Sequence, residues 1–319
     1  MEDLHDNGFE LAARMGEGNF AKRHAIEVER EEEYHNPLGV HFTFIKQRFI
    51  RPTMRAAMKM CGLYAKGYRQ FLDFRLERLE VGFEDLPPQF DGFRLLHLSD
   101  FHIDLDPAFV PAVTPFLAGI DCDACAITGD FRNLTVGPWK AAVDGSIKVV
   151  KAIRAPVYAV LGNHDTIDMV EAIEAAGTKF ILNEAAVIER DGAKLALLGI
   201  DDPNIYETDD LERAKNGAPR NAFPILLTHS PCIYKRAEAA GIRLLLAGHT
   251  HGGQVCLPGG RPIVNNDPSP RRFQRGLWKY GEMVGHTSRG IGSCGTPVRI
   301  NCPPTATLLT LRTSVKQLG

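Results

Sequence analysis

An α/β fold of two mixed sheets with helices outside is what this sequence predicts, and three observations carry it. From residue 93 onward the chain repeats a unit of short apolar run, loop and helix. Residues 184–190 and 194–200 read as a hairpin closed by Asp191-Gly192, a two-residue turn signal. The tail then alternates over 276–280, 283–288 and 305–311 as antiparallel strands do. Strands that alternate with helices and later pair directly give mixed sheets covered by helices.

The apolar runs at 93–98, 124–128, 157–161, 224–227 and 242–247 read as buried strands. Between them, 107–117, 139–153, the stretch up to 176, and 211–216 read as helices, although Pro111 and Pro115 argue against the first.

Bulk properties fit a soluble globular chain. Of 319 residues, 44% are hydrophobic and 24% charged, and the formal net charge of −2 gives no global pull toward nucleic acid. No apolar run approaches the ~18–20 residues of a membrane-spanning helix. The acidic N-terminus has no signal-peptide core, and seven cysteines without framework spacing favour a reduced compartment, so a cytoplasmic location is expected. Cys122 and Cys125 read as packing at a strand start.

Three regions follow. Residues 1–36 form a polar tail ending in an acidic run from Glu27 to Glu33, a pattern of solvated helix faces and mobile tails, and no chemistry is expected of it. Residues 37–88 read as a basic amphipathic helical extension. Ile50, Met54, Ala57, Met58, Cys61, Tyr64, Tyr68, Phe71 and Leu72 form one apolar stripe at helical spacing. Between Lys46 and Arg78 lie nine cations against two acids, Asp73 and Glu77. Such a helix suits an anionic membrane surface, or else packs on its own domain or a second subunit. Residues 89–319 form the catalytic domain, approached through Pro87-Pro88.

The strand ends carry the chemistry. Asp100-Phe101-His102 follows the first run, Gly129-Asp130 the second and Gly162-Asn163-His164-Asp165 the third. Thr228-His229 follows the fourth and Gly248-His249-Thr250-His251 the fifth. In open α/β sheets ligands bind outside the carboxyl ends of the strands. Asp100, His102, Asp130, Asn163, His229, His249 and His251 are nitrogen and oxygen donors without a thiolate. They suit Zn²⁺, Mn²⁺ or Fe²⁺ and are too many for one tetrahedral ion, whereas two divalent ions sharing a carboxylate would use them all. In an extended segment His249 and His251 point the same way and reach adjacent metals. Gly248, Gly252 and Gly253 let backbone approach the site.

In order and interval these segments resemble the signature of the calcineurin-like metallophosphoesterases, over about two-thirds of the chain, residues 93–312. The resemblance implies a four-layer α/β/β/α sandwich and a metal-dependent phosphoric ester or anhydride hydrolase. It gives Asp130 the bridging role, Asp100, His102 and His251 the rest of one metal site, and Asn163, His229 and His249 the other. A pair of ions ~3.5–4 Å apart can hold the attacking and phosphoryl oxygens together. His164 would then protonate the leaving oxygen, with Asp165 orienting its imidazole. Arg132 and Asn133, next to Asp130, are candidates for contact with a substrate phosphate, as are Arg289 and Arg299.

Gly248-His249-Thr250-His251-Gly252-Gly253-Gln254, Ser288-Arg289-Gly290 and Pro297-Val298-Arg299-Ile300-Asn301 are similar to the bacterial YkuE-type branch. That branch resembles a form of UDP-2,3-diacylglucosamine hydrolase. Its members usually begin with a hydrophobic anchor, where this sequence places a basic amphipathic stretch. Two substrate classes stay open: a lipid-linked phosphodiester or pyrophosphate, with peripheral contact at the cytoplasmic membrane face, and a soluble nucleotide or small diester. An inactive scaffold is disfavoured, because no ligand of the signature is missing.

Overall fold

Short apolar strands build two sheets in the computed structural model, which describes residues 3–35, 51–264 and 266–313. The first sheet has the order β1-β12-β2-β3-β4-β5: β1 (Arg75–Gly82), β12 (Thr305–Arg312), β2 (Arg94–Leu98), β3 (Ala124–Thr128), β4 (Val157–Val160) and β5 (Thr178–Phe180). The second has the order β10-β11-β9-β8-β7-β6: β10 (Gly276–Tyr280), β11 (Met283–Thr287), β9 (Leu244–Ala247), β8 (Phe223–Leu227), β7 (Ala193–Gly199) and β6 (Glu184–Arg190). Strands β2 to β5 are parallel, as are β7, β8, β9 and β11. Buried on both faces, the central parallel strands are continuously apolar, as their sequence suggested.

Alternate side chains sort into three cores. Leu95, Ala124, Ala126, Leu195, Leu197, Ile225, Leu227, Leu244 and Leu246 meet between the sheets. Their neighbours Leu96, Leu98, Cys125 and Ile127 face outward under α5 (Phe109–Ala118), α6 (Lys140–Ala152) and α7 (Val170–Glu174). On the opposite face Ala196, Leu198, Leu226 and Leu245 pack against α8 (Leu211–Asn216) and α9 (Tyr234–Ala239). The result is the four-layer α/β/β/α sandwich. The hairpin turns at Asp191 and Gly192, both at positive φ, and Pro111 lies in the first turn of α5, where no N–H is needed.

The N-terminal third departs from the sequence reading. Residues 3–35 are not a solvated tail: α1 (Asp3–Met15) and α2 (Glu17–His35) dock on the sandwich, with Met15 and Arg23 fully buried. Residues 37–50, with Lys46, Arg48 and Ile50, lie outside the described residues. Beyond them the expected single helix is two, α3 (Arg51–Met60) and α4 (Leu63–Phe71), broken where Gly62 turns left-handed at φ 68°. It stops before Arg75, and Arg75 and Arg78 belong to β1, which pairs with β12 over its whole length. Leu76, Leu79 and the charges between them mimic helical spacing. Pairing with an apolar neighbour overrides it, and the charges suit an edge strand.

Candidate metal centre

All five strand ends open on one edge, and the backbone there is bent. Asp100, His102, Asp130, His249 and His251 have φ of 55°, 45°, 60°, 68° and 51°. They are five of the ten non-glycine residues at positive φ among the described residues. Each such turn costs on the order of 1–3 kcal/mol and persists where the surroundings fix it. It carries the chain sharply off the strand end so that the side chain turns back over the edge. The expected extended path for His249 and His251 is therefore corrected: the two sit in left-handed turns around Thr250, which is α-helical in φ and ψ. Two glycines make the closeness possible. A Cβ on Gly162 would lie 2.2 Å from Asp130 Oδ1, and one on Gly248 1.8 Å from Ser99 Oγ. A Cβ on Gly253 would instead lie 2.5 Å from Pro262 Cβ.

The seven donors gather in two groups that share one atom. Asp100, His102, Asp130 and His251 present ligand atoms within 4.8 Å of one another. His102 Nε2 is 3.0 Å from His251 Nε2, and His251 Nε2 is 3.4 Å from Asp100 Oδ1. In the second group Asn163 Oδ1 is 2.9 Å from His249 Nδ1 and 3.0 Å from His229 Nε2. Asp130 Oδ2 reaches both, at 3.6 Å from His102 Nε2 and 3.3 Å from His229 Nε2. Its Oδ1 instead accepts the His164 N–H at 2.9 Å.

The environment asks for cations. Asp100 Oδ2 is buried without a hydrogen-bond partner among the described residues, and burial pushes this carboxyl up to about 7. His102 Nδ1 donates to Arg132 O at 2.8 Å and His229 Nδ1 to Thr128 O at 2.7 Å, so each turns Nε2 to the cluster. Burial takes His102 down to about 3 and His251 well below the usual imidazole range, leaving neutral donors. Burial would also raise Asp130, but His229 and His164 outweigh it and hold the carboxyl well below the usual range. Against burial, Asp130 raises His229 to about 10, so positive charge has a place here. These residues fit divalent ions.

A sequence profile for calcineurin-like phosphoesterases matches residues 93–253. The chain belongs to that family. The metallophosphoesterase YkuE of Bacillus subtilis is 27% identical over 262 residues, which cover 78% of this chain and 90% of that protein. The phosphodiesterase YaeI of Escherichia coli is 28% identical over 286 residues, covering 83% and 98%. The protein is a metal-dependent phosphoester hydrolase with a YkuE-like sequence.

In this phosphoesterase His164 lies beside the clusters, its ring centroid 4.8 Å from that of His102. Its Nδ1 meets Asn133 O at 2.7 Å, and its Nε2 lies 3.8 Å from Cys294 Sγ. The carboxylate of Asp165 does not orient it. That group accepts the N–H of Gly162, Asp130 and Phe131, each at 2.8 Å, and so ties the loop after β4 to the loop after β3. A short carboxylate following a turn bonds the nearest amides, which here belong to the neighbouring strand end.

The expected phosphate contacts are mostly committed elsewhere. Arg132 is 2% exposed, and its guanidinium donates to Gly137 O at 2.9 Å beneath α2. Arg299, fully buried, donates to the carbonyls of His251, Arg289 and Gly292 as an internal staple. Asn133 Oδ1 accepts Gly295 N at 2.9 Å, and Arg289 leans to Glu77 at 3.8 Å. Two residues outside the sequence motifs also border the clusters: Cys294, and Asn204, whose Nδ2 is 3.2 Å from His249 Nε2. Asn204 had a signal, since Asp201-Asp202-Pro203-Asn204 is another polar run after an apolar strand. Cys294 had none.

Proposed function

We propose that this phosphoesterase hydrolyses a phosphodiester or pyrophosphate bond in a lipid-linked substrate at a two-metal centre. Asp130 Oδ2, common to both clusters, carries the two-metal reading. Asp100, His102 and His251 would complete one site, and Asn163, His229 and His249 the other, for Mn²⁺, Zn²⁺ or Fe²⁺. Such ions, when bound, offset phosphoryl charge and lower the pKa of water. Asn163, being neutral, limits the negative charge facing an anionic substrate. With Nδ1 held on Asn133 O, His164 can give a proton from Nε2 to the leaving oxygen, a role typically worth ~10²–10⁴-fold.

The lipid reading rests on what surrounds the site. Gly67 O of α4 accepts Arg299 N at 3.0 Å, and Gln70 Oε1 accepts Asn301 N at 3.1 Å. Asn301 in turn donates to Cys256 O at 2.9 Å, at the base of a loop exposing Leu257, Ile263 and Val264. Thus α4 and this loop flank the segment whose Arg299 holds His251. Met60 is 84% exposed and Leu63 43%, among the exposed cations Arg55, Lys59, Lys66 and Arg69. Apolar groups rimmed by cations suit an anionic amphiphile. No described helix is long and apolar enough to cross a membrane.

A second reading, a soluble diesterase, is favoured by Phe71 and Gly67, which pack α4 into the domain. A panel of soluble diesters, nucleotides and acylated nucleotide–sugar substrates with added Mn²⁺ separates the two. A preference for the acylated substrate supports the first reading, and equal or better turnover of the soluble ones supports the second.

A further inference from the structure

We infer that Arg23, on an N-terminal helix outside both sheets, is a positioning residue for the loop carrying Asn163 and His164. The inference rests on the reading of those two residues as ligand and proton donor. Arg23 is fully buried. Its Nη2 donates to Asp165 O at 2.7 Å and to Gly162 O at 3.2 Å, the two carbonyls that bracket Asn163 and His164. Its Nη1 donates to Asp201 Oδ1, and its Nε to Glu27 Oε1 at 2.9 Å. The guanidinium also stacks 4.0 Å over the ring of Tyr206, which is itself buried.

Asp201 is a fixed anchor. Its second oxygen accepts Thr208 Oγ1 at 2.6 Å, and its N–H meets Asn183 Oδ1 at 3.0 Å. Arg23 therefore joins the loop after β4, in the first sheet, to the chain after β7, in the second. The Asp165 carboxylate also ties the same loop to the Asp130 amide. Together the two clamp the loop.

Neighbouring turns of α2 extend the clamp. Residues 23, 27 and 31 lie on one helix face. Glu27 accepts Thr166 Oγ1 at 2.8 Å and Ile167 N at 3.2 Å, and Glu31 accepts Gly137 N at 2.8 Å. The acidic run thus supplies acceptors to loops that border the site. A planar guanidinium donates in several fixed directions at once, whereas an ammonium is a point charge on a flexible stem, so lysine does not reproduce the contact.

The test uses the full chain with Arg23→Met and Arg23→Lys. Three quantities are read: thermal stability, Mn²⁺ affinity of the two sites by competition with a chelator, and kcat and KM on a small diester. Partners that orient metal ligands typically contribute ~10–100-fold to metal affinity or activity. Both variants should weaken one Mn²⁺ site and lower kcat by about that factor, with KM little changed. A variant that melts earlier but keeps both Mn²⁺ affinities and kcat would make Arg23 merely structural and overturn the inference. If Arg23→Met does not fold, Asp201→Asn, which keeps the shape of the anchor, should show the same pattern more weakly. Unchanged Mn²⁺ binding and kcat in Asp201→Asn overturns it equally. His164→Ala serves as a separate control: the proton-donor reading fails if that variant is fully active, while the Mn²⁺ affinities of the Arg23 variants still decide the positioning of Asn163.

Discussion

His97 Nδ1 and His286 Nδ1 meet at 2.8 Å across the gap between the two sheets. One ring must donate and the other accept, so at most one of them can carry a proton on both nitrogens, and His97 Nε2 also meets Thr128 Oγ1 at 3.0 Å. Burial lowers both, His286 to about 3 with Arg289 adding to the effect, and His97 well below the ordinary value with His286 adding to it.

A stability that depends on acid follows from that pair. A histidine whose folded pKa lies below its unfolded value leaves the unfolded chain to take up protons first. Its contribution is complete above pH ~6.5 and is lost as pH falls through that value, continuing to about 3 for His286. One such group removes about 2 kcal/mol between pH 7 and pH 5. Urea unfolding of the metal-free protein at both pH values should show the loss, and His286→Asn should flatten the slope. An equal slope in the variant would rule the pair out as its source.

Asp130→Asn tests the shared oxygen. An amide oxygen bridges two cations poorly, so the variant should bind at most one metal per chain and lose essentially all turnover. Metal analysis beside a diester assay checks this. Near-normal activity with two metals bound would remove Asp130 from the bridging role.

His164→Ala should keep both metals and be slow where the leaving group is poor. With a nitrophenol leaving group little protonation is needed, and the defect should shrink from the ~10²–10⁴-fold range of general acid help. The comparison of alkyl and nitrophenyl diesters reads this directly. An equal defect on both would leave charge stabilisation as the role of His164.

Replacing Arg55, Lys59, Lys66 and Arg69 together by glutamine should abolish sedimentation with anionic liposomes at low salt. Each cation near such a surface contributes ~1 kcal/mol, and binding of the unaltered protein should fade at several hundred millimolar salt. Turnover of a small soluble diester should be unaffected, since none of these side chains lies in either cluster. If the unaltered protein binds no anionic vesicle at any salt, the membrane reading fails.

The sequence by itself determined the fold class and set out the proposed donors in order, because both are local in the chain. Each proposed donor lies within four residues of the end of an apolar strand, and the hairpin turn and the five strand ends can be read in windows of a few residues. Tertiary structure alone decided where the Asp165 carboxylate goes. Asp165, adjacent to His164, bonds backbone amides of the neighbouring strand end, while a carbonyl 31 residues away, Asn133 O, takes the His164 Nδ1. It decided also that Arg23 is interior, since its partner Asp201 lies 178 residues on, and that residues 75–82 are a strand, since β12 pairs with them from the other end of the chain. Propensity and spacing describe a segment's own preferences. A buried charge or an edge strand is set by a partner distant in sequence, whose hydrogen bonds outweigh those preferences.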